Sequence, residues 1–280
     1  MSDLLIRNLR LEEISLAIDW AAAEGWNPGL CDAACFAVPD PQGFFVGEID
    51  GEPIATVSCV NYDSRFAFLG FYIVRANCRG SGHGLRIWNA AIAHAGARVI
   101  GLDGVVAQQD NYKKSGFQLA YANIRYGGIA AAPVKPPADV VALDTIPLAL
   151  VEADDGTVFP ARRSAFLSAW INTSGHVGRA LLRDGKLKAW GVIRPCRTGH
   201  KIGPLVADDH AAAEAIVQAL LPSAGGAEVF LDVPAVNRDA VALAEALGLK
   251  PVFETARMYT GPIAPLRIDR VFGVTSFELG

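Results

Sequence analysis

Apolar residues in the first half of the chain fall into runs that predict consecutive strands. Phe44–Ile49 and 53–62 flank Asp50-Gly51, which is a strong hairpin signal. The next run, Phe66–Val74, is apolar at most positions, as expected of a central strand covered on both faces. An amphipathic stretch over 84–95 then predicts a helix.

The same order of elements recurs in the second half, which predicts an internal duplication. The other elements predicted for the first half are a strand over 4–9, helices over 11–25, 30–38 and 110–115, and strands over 99–106 and 117–126. Those of the second half are a helix over 161–173, a hairpin of 180–183 and 187–194, strands over 201–206, 229–233 and 251–259, and helices over 211–221 and 239–247. A stretch rich in alanine and proline, 130–138, predicts a linker between domain 1–130 and domain 139–280.

Composition narrows the class of protein. The 280 residues are 51% hydrophobic and 19% charged, which supplies ordinary cores and argues against disorder. The formal net charge is −4 and no long Lys/Arg run occurs, so a nucleic-acid partner is not expected. No apolar run reaches membrane-spanning length, the N-terminus lacks the pattern of a signal peptide, and the five cysteines form no CxxC. We therefore expect a cytoplasmic protein with reduced cysteines, no membrane association and no metal.

A glycine-rich loop, Arg79-Gly80-Ser81-Gly82-His83-Gly84, joins the central strand to the amphipathic helix. Glycines allow a close approach of the backbone, and the first N–H groups of a helix have no partner inside it. This combination predicts a site for a pyrophosphate. The spacing is neither the GxGxxG of a Rossmann fold nor a Walker loop, which needs Gly-Lys-Ser/Thr. A plain turn is the other interpretation of the loop.

Two motifs carry a resemblance to the GNAT superfamily of N-acetyltransferases. Arg79, Gly82 and Gly84 match the family's Arg/Gln-x-x-Gly-x-Gly/Ala signature after its fourth strand. Tyr112 to Phe117, about thirty residues later, matches its Tyr-x-x-x-Gly-Phe. The whole chain also resembles bacterial tandem GNAT proteins with a degenerate second domain, since no such loop follows the strand over 201–206.

The resemblance implies a fold, a cosubstrate and a set of site residues. The fold is α/β (α+β), with two GNAT-like domains that each have a mixed, mostly antiparallel sheet flanked by helices. Acetyl-CoA is the implied cosubstrate and a small-molecule amine the acceptor; a homodimer is left open. Tyr112 is implied as the general acid that protonates the leaving thiolate. The implied cofactor-binding residues are Ile73 and Val74, through their main chain, and Arg79, Gly80, Ser81, Gly82, His83, Gly84 and Leu85.

The general base is the least defined part of this prediction. Asp103 stands in a Gly-Leu-Asp-Gly bend near Tyr112 and is a candidate for the base or for an anchor of the acceptor, although a turn-capping Asp fits the pattern equally. Glu24, Asp19 and Asp63 are weaker candidates, and a water chain is another. The expected activity is direct transfer of an acetyl group from acetyl-CoA to a primary amine. The alternative is a non-catalytic sensor or scaffold that binds acyl-CoA.

Overall fold

A computed structural model of the protein describes residues 3–131 and 137–280. The predicted linker lies for the most part outside these residues. The strands are β1 (Leu5–Asn8), β2 (Phe44–Ile49), β3 (Glu52–Asn61), β4 (Phe66–Val74), β5 (Val99–Val105), β6 (Gln118–Gly128), β7 (Val140–Ala142), β8 (Val177–Arg183), β9 (Lys186–Pro195), β10 (His200–Ala207), β11 (Val229–Pro234), β12 (Lys250–Tyr259) and β13 (Val271–Gly273). The helices are α1 (Ile14–Ala23), α2 (Asp32–Phe36), α3 (His83–Ala95), α4 (Gln109–Lys114), α5 (Leu148–Asp155), α6 (Ser164–Asn172), α7 (His210–Leu220) and α8 (Arg238–Ala246).

The strands form one continuous sheet in the order β1-β2-β3-β4-β5-β12-β6-β11-β10-β9-β8-β7, with β13 paired to β10. All described neighbours are antiparallel except β4 with β5 and β10 with β11, which are parallel. This mixed, mostly antiparallel sheet with flanking helices confirms the predicted fold class. None of the helices in the described residues is long and apolar enough to cross a membrane.

The two halves exchange one strand each, which the sequence did not predict. Strand β12 of the second half pairs with β5 of the first, and β6 of the first half pairs with β11 of the second. The exchanged strands also pair with each other. Neither half of the sheet is therefore complete without the other, while the division at 130–138 stays a prediction about the sequence.

Two equivalent ion pairs fasten the exchanged strands. Arg257 on β12 lies directly opposite Asp103 on β5, with Nη2 and Oδ2 2.6 Å apart. Arg125 on β6 lies directly opposite Asp232 on β11, with Nε and Oδ1 also 2.6 Å apart. All four side chains are almost fully buried. The duplication therefore extends to the contacts that join the halves.

Helices α1 and α3 cover opposite faces of β4. The buried side of α3, including Trp88 and Ala91, packs in the same core as Leu69. The buried side of α1, including Ile18, packs in a different core with Phe71. Leu69 and Phe71, two positions apart, lie on different faces because the register of β4 shifts between them.

Candidate active site

Strands β4 and β5 separate halfway along their length. Their parallel pairing runs from Phe66 opposite Val99 to Leu69 opposite Leu102, the last pair in the described ladder. Beyond it, β4 keeps its pairing with β3, up to Val74 opposite Ala55. The edge of β4 that faces β5 is thus open from Gly70 onwards, and we call this opening the fork.

A bulge in β4 lies at the start of the fork. Phe71 has a φ of 49°, and the register between β3 and β4 shifts at this point. The Thr56 hydroxyl donates a buried hydrogen bond of 2.9 Å to the Phe71 carbonyl, which holds the bulge in place. A positive φ is strained for a bulky residue, and such strain concentrates at functional sites. The bulge re-aims the main chain that follows it.

The fork opens into a cavity of about 450 Å³. Its wall comprises Glu24, Trp26, residues 69–74, Arg79, Gly80, Gly82, Gly84, Leu85, residues 102–105, Gln108, Tyr112, Phe253, Thr255, Phe277 and Glu278. The first half supplies the fork, the glycine loop and the phenol. The second half supplies two aromatic rings and a carboxylic acid from β12 and the C-terminal segment.

The glycine loop leads onto α3 with its N–H groups open. Gly80 and Gly82 have φ values of 80° and 81°, which L side chains rarely adopt. Gly82 is the N-cap of α3, and no side chain in the described chain caps it. A Cβ on Gly84 would lie 2.6 Å from the Tyr72 hydroxyl, so this position has no room for a side chain. An uncapped helix start behind a glycine cradle fits a pyrophosphate.

The other predicted loop residues surround this cradle. The Arg79 Nε donates to the Val74 carbonyl at 2.8 Å and its Nη2 lies 2.7 Å from Glu24 Oε1. This fixes the loop to the end of β4 while half of the guanidinium side chain stays exposed. Leu85 is 62% exposed at the rim. Ser81 and His83 belong to the loop but not to the cavity wall described above.

Tyr112 lies on α4 and lines the cavity with its ring held on two sides. It stacks on Trp88 at a centroid distance of 5.7 Å, and a Cβ on Gly104 would lie 2.2 Å from its Cε2. Gly104 therefore makes the room that the ring occupies against β5. Burial raises the pKa of the Tyr112 phenol to about 12, and Tyr72 adds to this shift. The phenol stays protonated at neutral pH, as a proton donor must.

Tyr72 is a site residue whose side chain the sequence did not single out. Its ring packs edge-on against Trp88 at 5.1 Å, and burial raises the pKa of its phenol. It stands between the Gly84 cradle and Tyr112, so two phenols line the same wall. The sequence signal for this role was a tyrosine within the apolar run of β4. A buried phenol hydroxyl there needs a hydrogen-bond partner, such as water or a ligand.

Asp103 is placed differently from the prediction. It lies within β5, paired with β12, and not in a bend. Its side chain has no exposed area and accepts hydrogen bonds from Arg257 and from Asn123 at 2.7 Å. The exposed part of this residue is its main chain. This geometry gives Asp103 a structural task and leaves its role as a base without support.

The weaker candidates for the base are also engaged. Glu24 lines the cavity and pairs with Arg79. Asp19 pairs with Arg197 outside the cavity wall. The Asp63 carboxylate accepts from the main-chain N–H groups of the turn before β4. Of these three, only the first reaches the fork.

The second half has a counterpart of the fork that is closed. The β10–β11 pairing ends at Ile202 opposite Leu231, and β10 then changes register as β4 does. Here, however, β13 pairs with β10, with Gly273 opposite Leu205. The start of α7 is already capped, because Asp209 accepts from the Ala212 N–H at 2.8 Å. The cradle and the open edge are thus both missing from this half of the described chain.

Comparisons with known proteins agree with the geometry. A model of the "Acetyltransferase (GNAT) family" matches residues 8–117, and a model of the "Acetyltransferase (GNAT) domain" matches residues 151–273. A holothin acyltransferase from Pseudoalteromonas sp. (strain SANK 73390) is 34% identical over 274 residues, covering 96% of this chain and 92% of that protein.

Solved structures share the fold over nearly the whole chain. A putative acetyltransferase from Pyrococcus horikoshii superposes with a TM-score of 0.83 at 23% identity, covering 99% of this chain and 96% of that one. A tandem GNAT protein from the clavulanic acid biosynthesis pathway gives 0.66 at 14% identity, covering 93% and 99%.

Proposed function

This chain belongs to the GNAT acyltransferase family as a tandem protein, and on that basis we propose that it transfers an acetyl group from acetyl-CoA to a primary amine of a small molecule. One observation carries the proposal. The open edge of β4, the uncapped start of α3 and the Tyr112 phenol all border one cavity. Each serves a different part of an acyl-CoA, namely the pantetheine, the pyrophosphate and the thioester sulfur.

The binding half of the mechanism rests on main-chain groups. The start of α3 and the glycine cradle hold the two phosphates, and Arg79 adds a positive charge beside them. Ile73 and Val74 offer their main chain along the open edge of β4 to the pantetheine amides. Since the bulge at Phe71 re-aims this edge, its N–H groups are suited to stabilise the negative charge that develops on the thioester oxygen.

The chemical half rests on proton movement. Acetyl-CoA supplies the activated acetyl group as a thioester. A neutral amine attacks the carbonyl carbon, the C–N bond forms and the C–S bond breaks. Tyr112 donates its proton to the leaving sulfur, and the amine nitrogen gives up one proton in becoming an amide, which restores the Tyr112 phenol through solvent.

The acceptor is expected to enter from the side where the two halves meet. Trp26 of the first half and Phe253 and Phe277 of the second line this part of the cavity. Such a wall suits a compact molecule with an apolar body, since aromatic rings bury large apolar areas. The related acyltransferase is named for holothin, which is therefore the first acceptor to test.

The proposal is tested by incubating the protein with acetyl-CoA and a panel of holothin, arylalkylamines, polyamines and amino sugars. Released thiol and acetylated product are quantified together by absorbance and mass spectrometry. We expect one acetyl amide per thiol released for at least one amine. Tight binding of acetyl-CoA without product from any amine would favour the sensor or scaffold alternative.

A further inference from the structure

The C-terminal segment of the chain crosses the face of the sheet that the halves share. The Val274 N–H donates to the Asp232 carbonyl of β11 at 2.8 Å. At the far end, Tyr62 donates to the Leu279 carbonyl at 2.9 Å and Arg163 to the Gly280 main-chain oxygen at 3.0 Å. The segment is therefore held at both ends, and the residues between them have a fixed position.

Glu278 of this segment stands where the fork begins. Its main chain lies against Gly70, the first residue of β4 beyond the last pair with β5. A Cβ on Gly70 would lie 2.1 Å from the Glu278 carbonyl oxygen, so the contact requires a glycine. Both residues line the cavity. Glu278 of the second half is thus placed next to the bulge of the first.

The Glu278 carboxyl is buried without a hydrogen-bond partner in another residue of the described chain. Its residue is 2% exposed, and neither oxygen accepts a hydrogen bond from another residue in the described chain. Fully buried aspartates elsewhere in the protein are each paired with an arginine. These pairs are Asp32–Arg194, Asp103–Arg257, Asp155–Arg163 and Asp232–Arg125. Because an unsatisfied buried acid is costly, its retention needs another reason.

Two further buried polar atoms, on β12 and β6, also lack a partner among the described residues. Thr255 lines the same cavity, and its hydroxyl oxygen has no partner among residues 3–131 and 137–280. Asn123 lies directly opposite Thr255 in the sheet, and its side-chain oxygen is likewise without a partner there. The Glu278 carboxyl and the Thr255 hydroxyl are therefore two groups of cavity-lining residues that lack a partner in the described chain. Such a set matches a ligand that brings N–H donors, as an amine does.

Building on the proposed function, we propose that Glu278 is the general base, which takes a proton from the acceptor amine beside Thr255. An ammonium group gives one proton to the Glu278 carboxylate and becomes nucleophilic. The nitrogen then attacks the thioester carbon and loses its second proton as the amide forms. The C–S bond breaks and the sulfur receives the Tyr112 proton. The second nitrogen proton restores the Tyr112 phenol through solvent, and Glu278 releases its proton to solvent before the next cycle. Glu278 would then hold the role that the sequence predicts for Asp103.

The charges around Glu278 suit this task. Burial raises the pKa of the Glu278 carboxyl, while Lys201 on β10 and Arg125 on β6 act against the shift, and Asp32 on α2 adds to it. A base with a raised pKa takes up protons more readily than an exposed glutamate does. We expect the acid limb of kcat/KM to report this group, with activity falling as the pH drops through its pKa.

The test compares Glu278→Gln with wild type, using acetyl-CoA and the best amine of the panel. We expect kcat/KM for the amine to fall about 100-fold, the acid limb to disappear, and the KM for acetyl-CoA and the Tm to stay within experimental error. Glu278→Asp should recover part of the activity because it keeps a carboxylate. Glu254→Gln, at an exposed glutamate of β12, is the matched control and should behave as wild type.

A second readout separates this inference from the proposed function. Amine affinity is measured by calorimetry in the presence of CoA, without turnover. We expect a loss of at least tenfold in Glu278→Gln. If wild type acetylates no amine, the proposed function fails, and the affinity difference still decides whether Glu278 binds the amine. Equal affinity, or a Glu278→Gln variant with wild-type activity and the same acid limb, would overturn the proposal.

Discussion

Asp103 and Arg257 lie 154 residues apart in the chain and form a two-point ion pair across β5 and β12. Their equivalents, Asp232 and Arg125, form the same pair in the half whose fork is closed. The same Asp–Arg pair is present in the half that has no open fork. The exchange of strands therefore explains this pair, and catalysis does not. The internal symmetry of the protein thus separates structural acids from candidate catalytic ones.

This interpretation predicts that Asp103→Asn and Asp232→Asn have similar effects. Each variant removes the carboxylate paired with a buried arginine, and Asp232→Asn also removes the counter-charge 4.0 Å from Lys201. We therefore expect the free energy of unfolding to fall by about 3 kcal/mol or more in both. The measurement is urea unfolding followed by circular dichroism, with Asp239→Asn on the exposed start of α8 as the control. The turnover number of folded Asp103→Asn should stay within about threefold of wild type. A 100-fold loss of turnover with unchanged stability would instead make Asp103 the base.

Gly84 provides a test of the pyrophosphate cradle. In Gly84→Ala the new Cβ meets the Tyr72 hydroxyl, and the loop has to shift away from β4. We expect the affinity for acetyl-CoA to fall at least tenfold by calorimetry, with little change in Tm. Tyr72→Phe in the same protein removes the clashing atom and should restore part of the affinity.

Gly261→Ala serves as the control for this series, because a Cβ there meets its nearest neighbour at an ordinary 3.4 Å. Equal affinities of Gly84→Ala and Gly261→Ala for acetyl-CoA would mean that the glycine loop at Gly84 does not hold the pyrophosphate.

His176 predicts a pH dependence of stability. Burial, with the charge of Arg194 adding to it, lowers the pKa of His176 to about 4, from an ordinary 6.5. The unfolded chain therefore takes up the proton first, and the folded state loses stability as the pH falls from 6.5 towards 4. Between pH 7.5 and 5 this amounts to about 2 kcal/mol.

The measurement is urea unfolding at both pH values for wild type and His176→Asn, whose amide can replace the Nδ1 contact with the Trp170 carbonyl. We expect the free energy of unfolding of His176→Asn to lack the decrease of about 2 kcal/mol between pH 7.5 and 5. An identical dependence in both proteins would mean that other groups cause it.

Local patterns in the sequence predicted most of the fold. The two hairpin signals form tight turns with positive φ at both positions, 52° and 82° at Asp50-Gly51 and 51° and 69° at Asp184-Gly185. The run Phe66–Val74 forms β4 with the same bounds. Strands β7 and β13 and helix α5 were missed. The two strands are only three residues long, too short for a periodic pattern to stand out.

The sequence predicted the parts of the candidate site that lie in local motifs. It missed the parts that the exchange of strands between the two halves brings together. The loop and Tyr112 follow from spacing along one segment, although their roles stay predictions. Trp26 lines the cavity, whereas Phe36 on α2 is buried against Trp170 in the core. Glu278 reaches the fork only because strand exchange brings the C-terminal segment across the sheet, and no local pattern reports such a long-range contact.

Tyr112→Phe tests directly whether the chain is an enzyme whose single active site is the fork of the first half. The substitution removes the proton donor and keeps the ring that packs on Trp88. The measurement is the rate of acetyl amide formation beside calorimetric binding of CoA, with Tyr126→Phe in the core of the second half as the control. We expect one CoA per chain for every variant and a loss of about 100-fold in kcat for Tyr112→Phe alone. Full turnover in Tyr112→Phe, or CoA bound at two sites per chain, would contradict this expectation.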